Sequence, residues 1–238
     1  MKTIHKTIFI VTLFAIAMGF MESAVVVYLR ELYYPNGFSF PMVPTSPTVF
    51  ITELLREAAT LVMLYCVGLL AGSTRSQRFV YFLYSFAIWD IFYYVFLRLL
   101  IHWPESLFTW DILFLIPIPW YGPVIAPVII SLTMMAYAWI VLHLESKAYN
   151  VVFKRHDWIW MSLASLLFII SFTMEFVHWF RSGNHSLNTM GFEFIPSRYP
   201  WWLFMIAESI LLYVVCRLYL ITKNSLTLNK TYVDERYD

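Results

Sequence analysis

Long apolar runs alternate along this chain with short breaks that are either basic or rich in aromatic residues and proline. The runs predict helices at residues 8–29, 50–71, 79–101, 124–143, 158–180 and 201–221, with a polar tail at 222–238. Each run approaches the roughly 20 residues that cross the ~30 Å hydrocarbon layer of a bilayer. The expected fold is therefore all-α. It is a polytopic integral membrane protein, one domain over residues 1–238, with about six transmembrane helices and irregular Pro/Trp-rich outer loops.

The breaks differ in kind. Residues 30–49 contain four prolines and Asn36-Gly37, which exclude regular structure. Residues 72–78 form a short basic turn and imply an antiparallel hairpin of helices two and three. Thr48 is the expected N-cap of helix two. The third long break lies within residues 85–127, the stretch around which the chain is organised. Here Asp90 sits inside an apolar helix, Arg98 and His102 follow, and a Trp- and Pro-dense loop leads to Pro123 or Pro127 as the opening of helix four. Residues 111–116 are too short to span and are expected as a re-entrant half-helix. Trp89-Asp90-Ile91-Phe92 recurs as Trp110-Asp111-Ile112-Leu113, 21 residues on, a spacing that fits no repeat architecture.

Composition supports the membrane reading: 61% of residues are hydrophobic and 13% charged, against about 25% charged in a soluble domain. That leaves too little polar surface to coat a water-soluble globule. The first apolar run could imitate a signal peptide, with Ala15-Ile16-Ala17 as a cleavage site. Its hydrophobicity continues well past that point, so a retained anchor helix is expected. A net charge of +1 and the lack of a basic stripe exclude a nucleic-acid binder. Cys66 and Cys216 both fall in apolar segments and read as inert thiols. There is no phosphate loop, dinucleotide fingerprint, nucleophile elbow or HExxH pattern.

Six helices put both termini on one side. Ten lysines and arginines fall on that side and three (Arg30, Arg181 and Arg198) on the other. The positive-inside rule then predicts cytoplasmic termini and insertion in the plasma (inner) membrane. Every long loop lies outside, and each intramembrane ion acquires a depth. Glu22, Glu53, Arg56, Glu57, Arg98, His102, Glu175 and His178 fall in the outer half, with Asp90 and Glu208 near the middle. This predicts an outward-facing ionisable pocket roofed by aromatic loops and floored by Asp90 and Glu208.

Candidate chemistry follows from spacing. Glu53, Arg56 and Glu57 share one helical face. Asp90, Glu208 and Glu53 are the candidate catalytic acids; Asp90 and Glu208 are the sharpest of them, because short carboxylates at mid-depth cannot reach water. Arg56, Arg98, Trp110 and Asp111 are candidate substrate contacts. Glu175 and His178 form an ExxH pair that can share a metal. His102, Glu22 and Glu57 could complete a set for a divalent metal or iron, though the second ExxH of a di-iron bundle is missing. His102 and His178 as axial haem ligands are a further alternative. The competing reading of every one of these ions is a structural pair or an interfacial charge.

Three functions follow. The first is a metal-assisted enzyme acting on a lipid or lipid-linked substrate. The second is a non-catalytic subunit of a membrane complex, docked to a partner membrane subunit. The third is a small-molecule transporter or binder, disfavoured by the absence of an inverted repeat and of a polar path through the inner half.

Overall fold

A computed structural model describes residues 2–147, 151, 153–183 and 192–234. Among these the chain forms six long helices: α1 (Lys2–Tyr33), α2 (Pro47–Ala71), α3 (Arg75–Ile101), α4 (Ile125–Ser146), α5 (Arg155–Ser182) and α6 (Trp201–Asp234). All six are long and apolar enough to cross a membrane. Large apolar side chains such as Leu55, Leu70, Trp139 and Trp202 are exposed on their outer faces. The protein is an all-α polytopic membrane bundle.

The helix ends follow local chemistry. Ser46, not Thr48, caps α2: its Oγ accepts a hydrogen bond from the Val49 amide, and Pro47 takes the first turn, where its missing N–H costs nothing. Thr74 caps α3 in the same way through the Gln77 amide at 3.1 Å. His102 ends α3 in the left-handed conformation, with φ 57°. The polar tail expected from residue 222 is not a separate segment. No glycine or proline follows Trp201, nothing stops the helix, and α6 continues to Asp234.

The re-entrant half-helix expected at residues 111–116 is instead a strand. β1 (Trp110–Phe114) pairs antiparallel with β2 (Trp120–Pro123), with Asp111 opposite Gly122 and a bulge between Ile112 and Phe114. Pro117 and Pro119 supply no N–H for a helical ladder, while the aromatic and β-branched residues on either side suit a pleated ribbon. The hairpin enters the bundle from the loop end, and Phe114 packs against Met18, Leu64 and Trp89 at mid-helix.

α3 is the hub. It packs along α1, α2 and α4, while α5 and α6 form a second pair that joins through α4 and β2. Two glycines set the close crossings. A Cβ on Gly19 would sit 3.0 Å from the Trp89 carbonyl oxygen, and one on Gly68 would sit 2.6 Å from that of Arg78. Small residues at these points let α1 and α2 press against the α3 backbone.

Candidate functional site

Where α1, α2 and α3 meet the hairpin, the helices leave a cavity of about 180 Å³. It occupies the end of the bundle that carries the long loops. Its ionisable walls are Glu22, Arg30, Glu53, Arg56, Glu57 and Asp90, and Asp111 of β1 completes the set. Five acids thus face two arginines. Trp89, Tyr93, Tyr94 and Phe38 supply aromatic surface.

The arginines are spent unevenly. Arg56 pairs with Glu22 of α1 and, at 2.7 Å, with Glu53 one turn before it on α2. Thr60 donates to the other Glu22 oxygen at 3.1 Å. Arg30 lies 3.5 Å from Asp111, which also accepts from the Tyr94 hydroxyl at 3.1 Å. Glu57 and Asp90 receive only neutral donors among the described residues. The Leu115 amide donates to Glu57 at 2.9 Å, and the Ser131 hydroxyl to Asp90 at 2.8 Å. Glu57 and Asp90 are therefore the cavity acids without an ion-pair partner among the described residues.

Arg30 is the member of the site that sequence reasoning missed. It is 8% exposed, and its guanidinium carbon lies 3.5 Å from the Trp103 ring centroid and 4.6 Å from that of Phe38. A desolvated guanidinium on an aromatic face is a favourable arrangement. Asp111 is buried, and burial pushes its carboxyl up to about 6, against the opposing pull of Arg30, the Ile112 amide and the Tyr94 hydroxyl.

Six of the residues singled out by sequence converge here: Glu22, Glu53, Arg56, Glu57, Asp90 and Asp111. Six do not line the cavity. Glu208 is buried on α6 and takes a hydrogen bond from Thr133 of α4. Ser131 and Thr133 are two residues apart, so on a helix their side chains diverge by about 200°. Asp90 and Glu208 engage α4 from different sides and do not share a floor. Arg98 is exposed and donates to the carbonyls of His102 and Pro104, capping α3. His102 is itself that cap. Trp110 points away from Asp111, as strand neighbours must, and packs with Tyr121 and Phe176. Glu175 accepts from the Ser197 amide and hydroxyl and from the Arg198 amide, tethering the loop before α6. His178 is exposed near the end of α5.

The expected metal set of Glu175, His178, His102, Glu22 and Glu57 is therefore divided between the cavity and the loop-side ends of α3 and α5. Among the described residues no group of three or more His, Cys, Asp or Glu side chains is arranged to hold a metal ion. The cavity acids are instead spaced along a wall, each already holding a protein donor, with Arg56 shared by Glu22 and Glu53. Such a wall suits an extended organic cation better than a point charge, which needs several donors converging at bonding distance.

Comparison of the chain with protein-family models, with curated proteins and with solved structures gives no significant match.

Proposed function

We propose that this integral membrane protein is a receptor site for the head of an amphipathic, amine-bearing ligand. The observation that carries the reading is the excess of acids over arginines inside an aromatic-walled cavity at the loop end of the helices. An ammonium group would compensate Glu57 and Asp90 and lie against the rings of Trp89, Tyr93 and Phe38, where cation–π attraction adds to the ion pair. A volume of about 180 Å³ is smaller than a drug-sized pocket of roughly 300–1,000 Å³. It holds a headgroup and leaves a tail outside, beside the half-buried Val49 and Phe50 of α2, which line the cavity. The excess of lysine and arginine at the opposite end supports cytoplasmic termini, a plasma-membrane location and a cavity opening to the outside.

The test compares dodecyltrimethylammonium with dodecyl sulfate on protein held in lipid nanodiscs. Preference for the ammonium by about tenfold or more, reduced in Glu57→Gln and in Asp90→Asn and lost when the two are combined, is the expected result. Equal binding of the two head groups would remove the reading.

One observation favours a second reading, an acid–base enzyme acting on a lipid or lipid-linked substrate. Burial pushes the Asp111 carboxyl up to about 6, and it accepts a hydrogen bond from Tyr94, which suits a general base. Turnover of a lipid extract that rises through about pH 6 and disappears in Asp111→Asn is its signature. An extract left unchanged by wild-type protein counts against it. A structural subunit docked to a partner chain has no specific observation in its favour.

A further inference from the structure

Two residues that line the cavity each carry a buried donor without an acceptor. Arg30 Nη1 and Trp89 Nε1 are both buried, and neither has a hydrogen-bond partner among the described residues. Arg30 is 8% exposed and Trp89 5%, and both residues line the same cavity. Buried donors are nearly always satisfied, and leaving one unpaired costs on the order of 1–3 kcal/mol. Arg30 already uses Nη2 on Asp111 and its flat face on Trp103. What its fork still offers is an N–H for an additional oxygen, and a guanidinium prefers a charged one.

We infer that the ligand is a zwitterion: its ammonium lies against Glu57 and its anionic oxygens accept from Arg30 and Trp89. This rests on the amine-binding reading above and adds the opposite charge. Arg30 is on α1, while Glu57 is on α2 with its carboxylate tied to the hairpin through Leu115. Cation and anion subsites thus come from different elements, as a headgroup with separated charges requires. A simple cation would use the acids and leave both donors unpaired. A simple anion would meet five acids. A phosphoryl-ammonium headgroup satisfies both ends, and its phosphate offers several oxygens to two donors.

The experiment measures retention of three lipids of matched chain length by the full protein in nanodiscs, read by native mass spectrometry. Phosphatidylethanolamine carries both charges, a trimethylammonium-propane diester carries the cation alone, and phosphatidylglycerol carries the anion alone. Wild-type protein should retain the zwitterion about tenfold better than the cationic lipid, with the anionic lipid weakest. In Arg30→Gln the zwitterion should fall to the level of the cationic lipid, whose own binding is kept or improved. Glu57→Gln should weaken both. Displacement of the lipid by an equal concentration of soluble phosphoethanolamine would assign the same chemistry to a free ligand rather than a headgroup. If wild-type protein does not distinguish the three lipids, the amine-binding reading fails. If it holds cationic and zwitterionic lipids equally, and Arg30→Gln changes neither, amine binding stands and the zwitterion is wrong. Where Arg30→Gln does not fold, Trp89→Phe decides by the same criterion: a selective loss of the zwitterion supports the inference, and unchanged retention overturns it.

Discussion

Arg30 lies flat on Trp103, its guanidinium carbon 3.5 Å from the ring centroid. The contact joins the end of α1 to the segment between α3 and β1, and Asp111 draws the same guanidinium onto the hairpin. One side chain therefore fastens three separate pieces of the cavity roof. Trp103→Ala removes the ring and leaves the cation with a void beside it. The expected loss is about 3 kcal/mol, from the cavity and from the cation–π contact together. Trp103→Phe, which keeps a face for the cation, should lose less than half as much. Unfolding in mixed micelles, followed by near-ultraviolet circular dichroism, measures both.

Asp111 gives a pH dependence with a definite sign. Its carboxyl stands near 6 in the folded protein, raised chiefly by burial, and near 3.9 when unfolded. The folded state therefore holds this proton more tightly. The resulting stability is fully present below about pH 4 and is lost as the pH rises through 6. Asp111→Asn has nearly the same shape and does not titrate there. The wild type minus Asn difference in unfolding free energy should fall between these two pH values and flatten above them. A difference that rises over that window would contradict the burial argument.

The helices and half of the site were legible because hydrophobic run length and helical spacing are local properties. Glu53, Arg56 and Glu57 share a face by their spacing, and the depth of Glu22 brought it to the same level. What spacing does not reveal is which neighbour a face meets. Glu175 and His178 are three apart on α5, yet Glu175 is taken up by the amides of Ser197 and Arg198. Arg30 was counted among loop charges because a helix-end arginine ordinarily reaches toward headgroups. The signal that could have found it was Asp111, an acid in an aromatic segment with no cation of its own. The hairpin is not legible from run length: residues 111–116 look like a helix too short to span, and only Pro117 and Pro119, which break a helical ladder, point to a ribbon instead.

Arg56 is shared between two carboxylates, so its loss and theirs should be unequal. Arg56→Gln strands Glu22 and Glu53 together inside a partly buried wall, at an expected cost of about 3 kcal/mol or more. Glu53→Gln leaves Arg56 with Glu22 and should cost much less. Glu22→Gln combined with Arg56→Gln should recover part of the single-variant loss, because no unpaired ion then remains at that pair. Unfolding free energies of the wild type, Arg56→Gln, Glu22→Gln and the double variant form a double-mutant cycle for the Arg56–Glu22 pair. A purely additive cycle would mean the pair is dispensable.

Ser131 and Thr133 divide the two mid-depth acids between opposite sides of α4, and this separates stability from binding. Thr133→Val removes the hydroxyl that donates to Glu208 and keeps the shape of the side chain. Burying that carboxylate with one donor fewer should cost about 1–3 kcal/mol. It should leave amine-amphiphile binding unchanged, because Glu208 does not line the cavity. Asp90→Asn should do the reverse. Asparagine can still accept from the Ser131 hydroxyl, so stability changes little, while the cavity loses one of its two acids without an arginine partner. Its affinity for dodecyltrimethylammonium should then fall about threefold to tenfold, by analogy with other partly desolvated ion pairs. Equal losses of binding in Asp90→Asn and Thr133→Val would show that the two acids act as one site after all, and that α4 does not keep them apart.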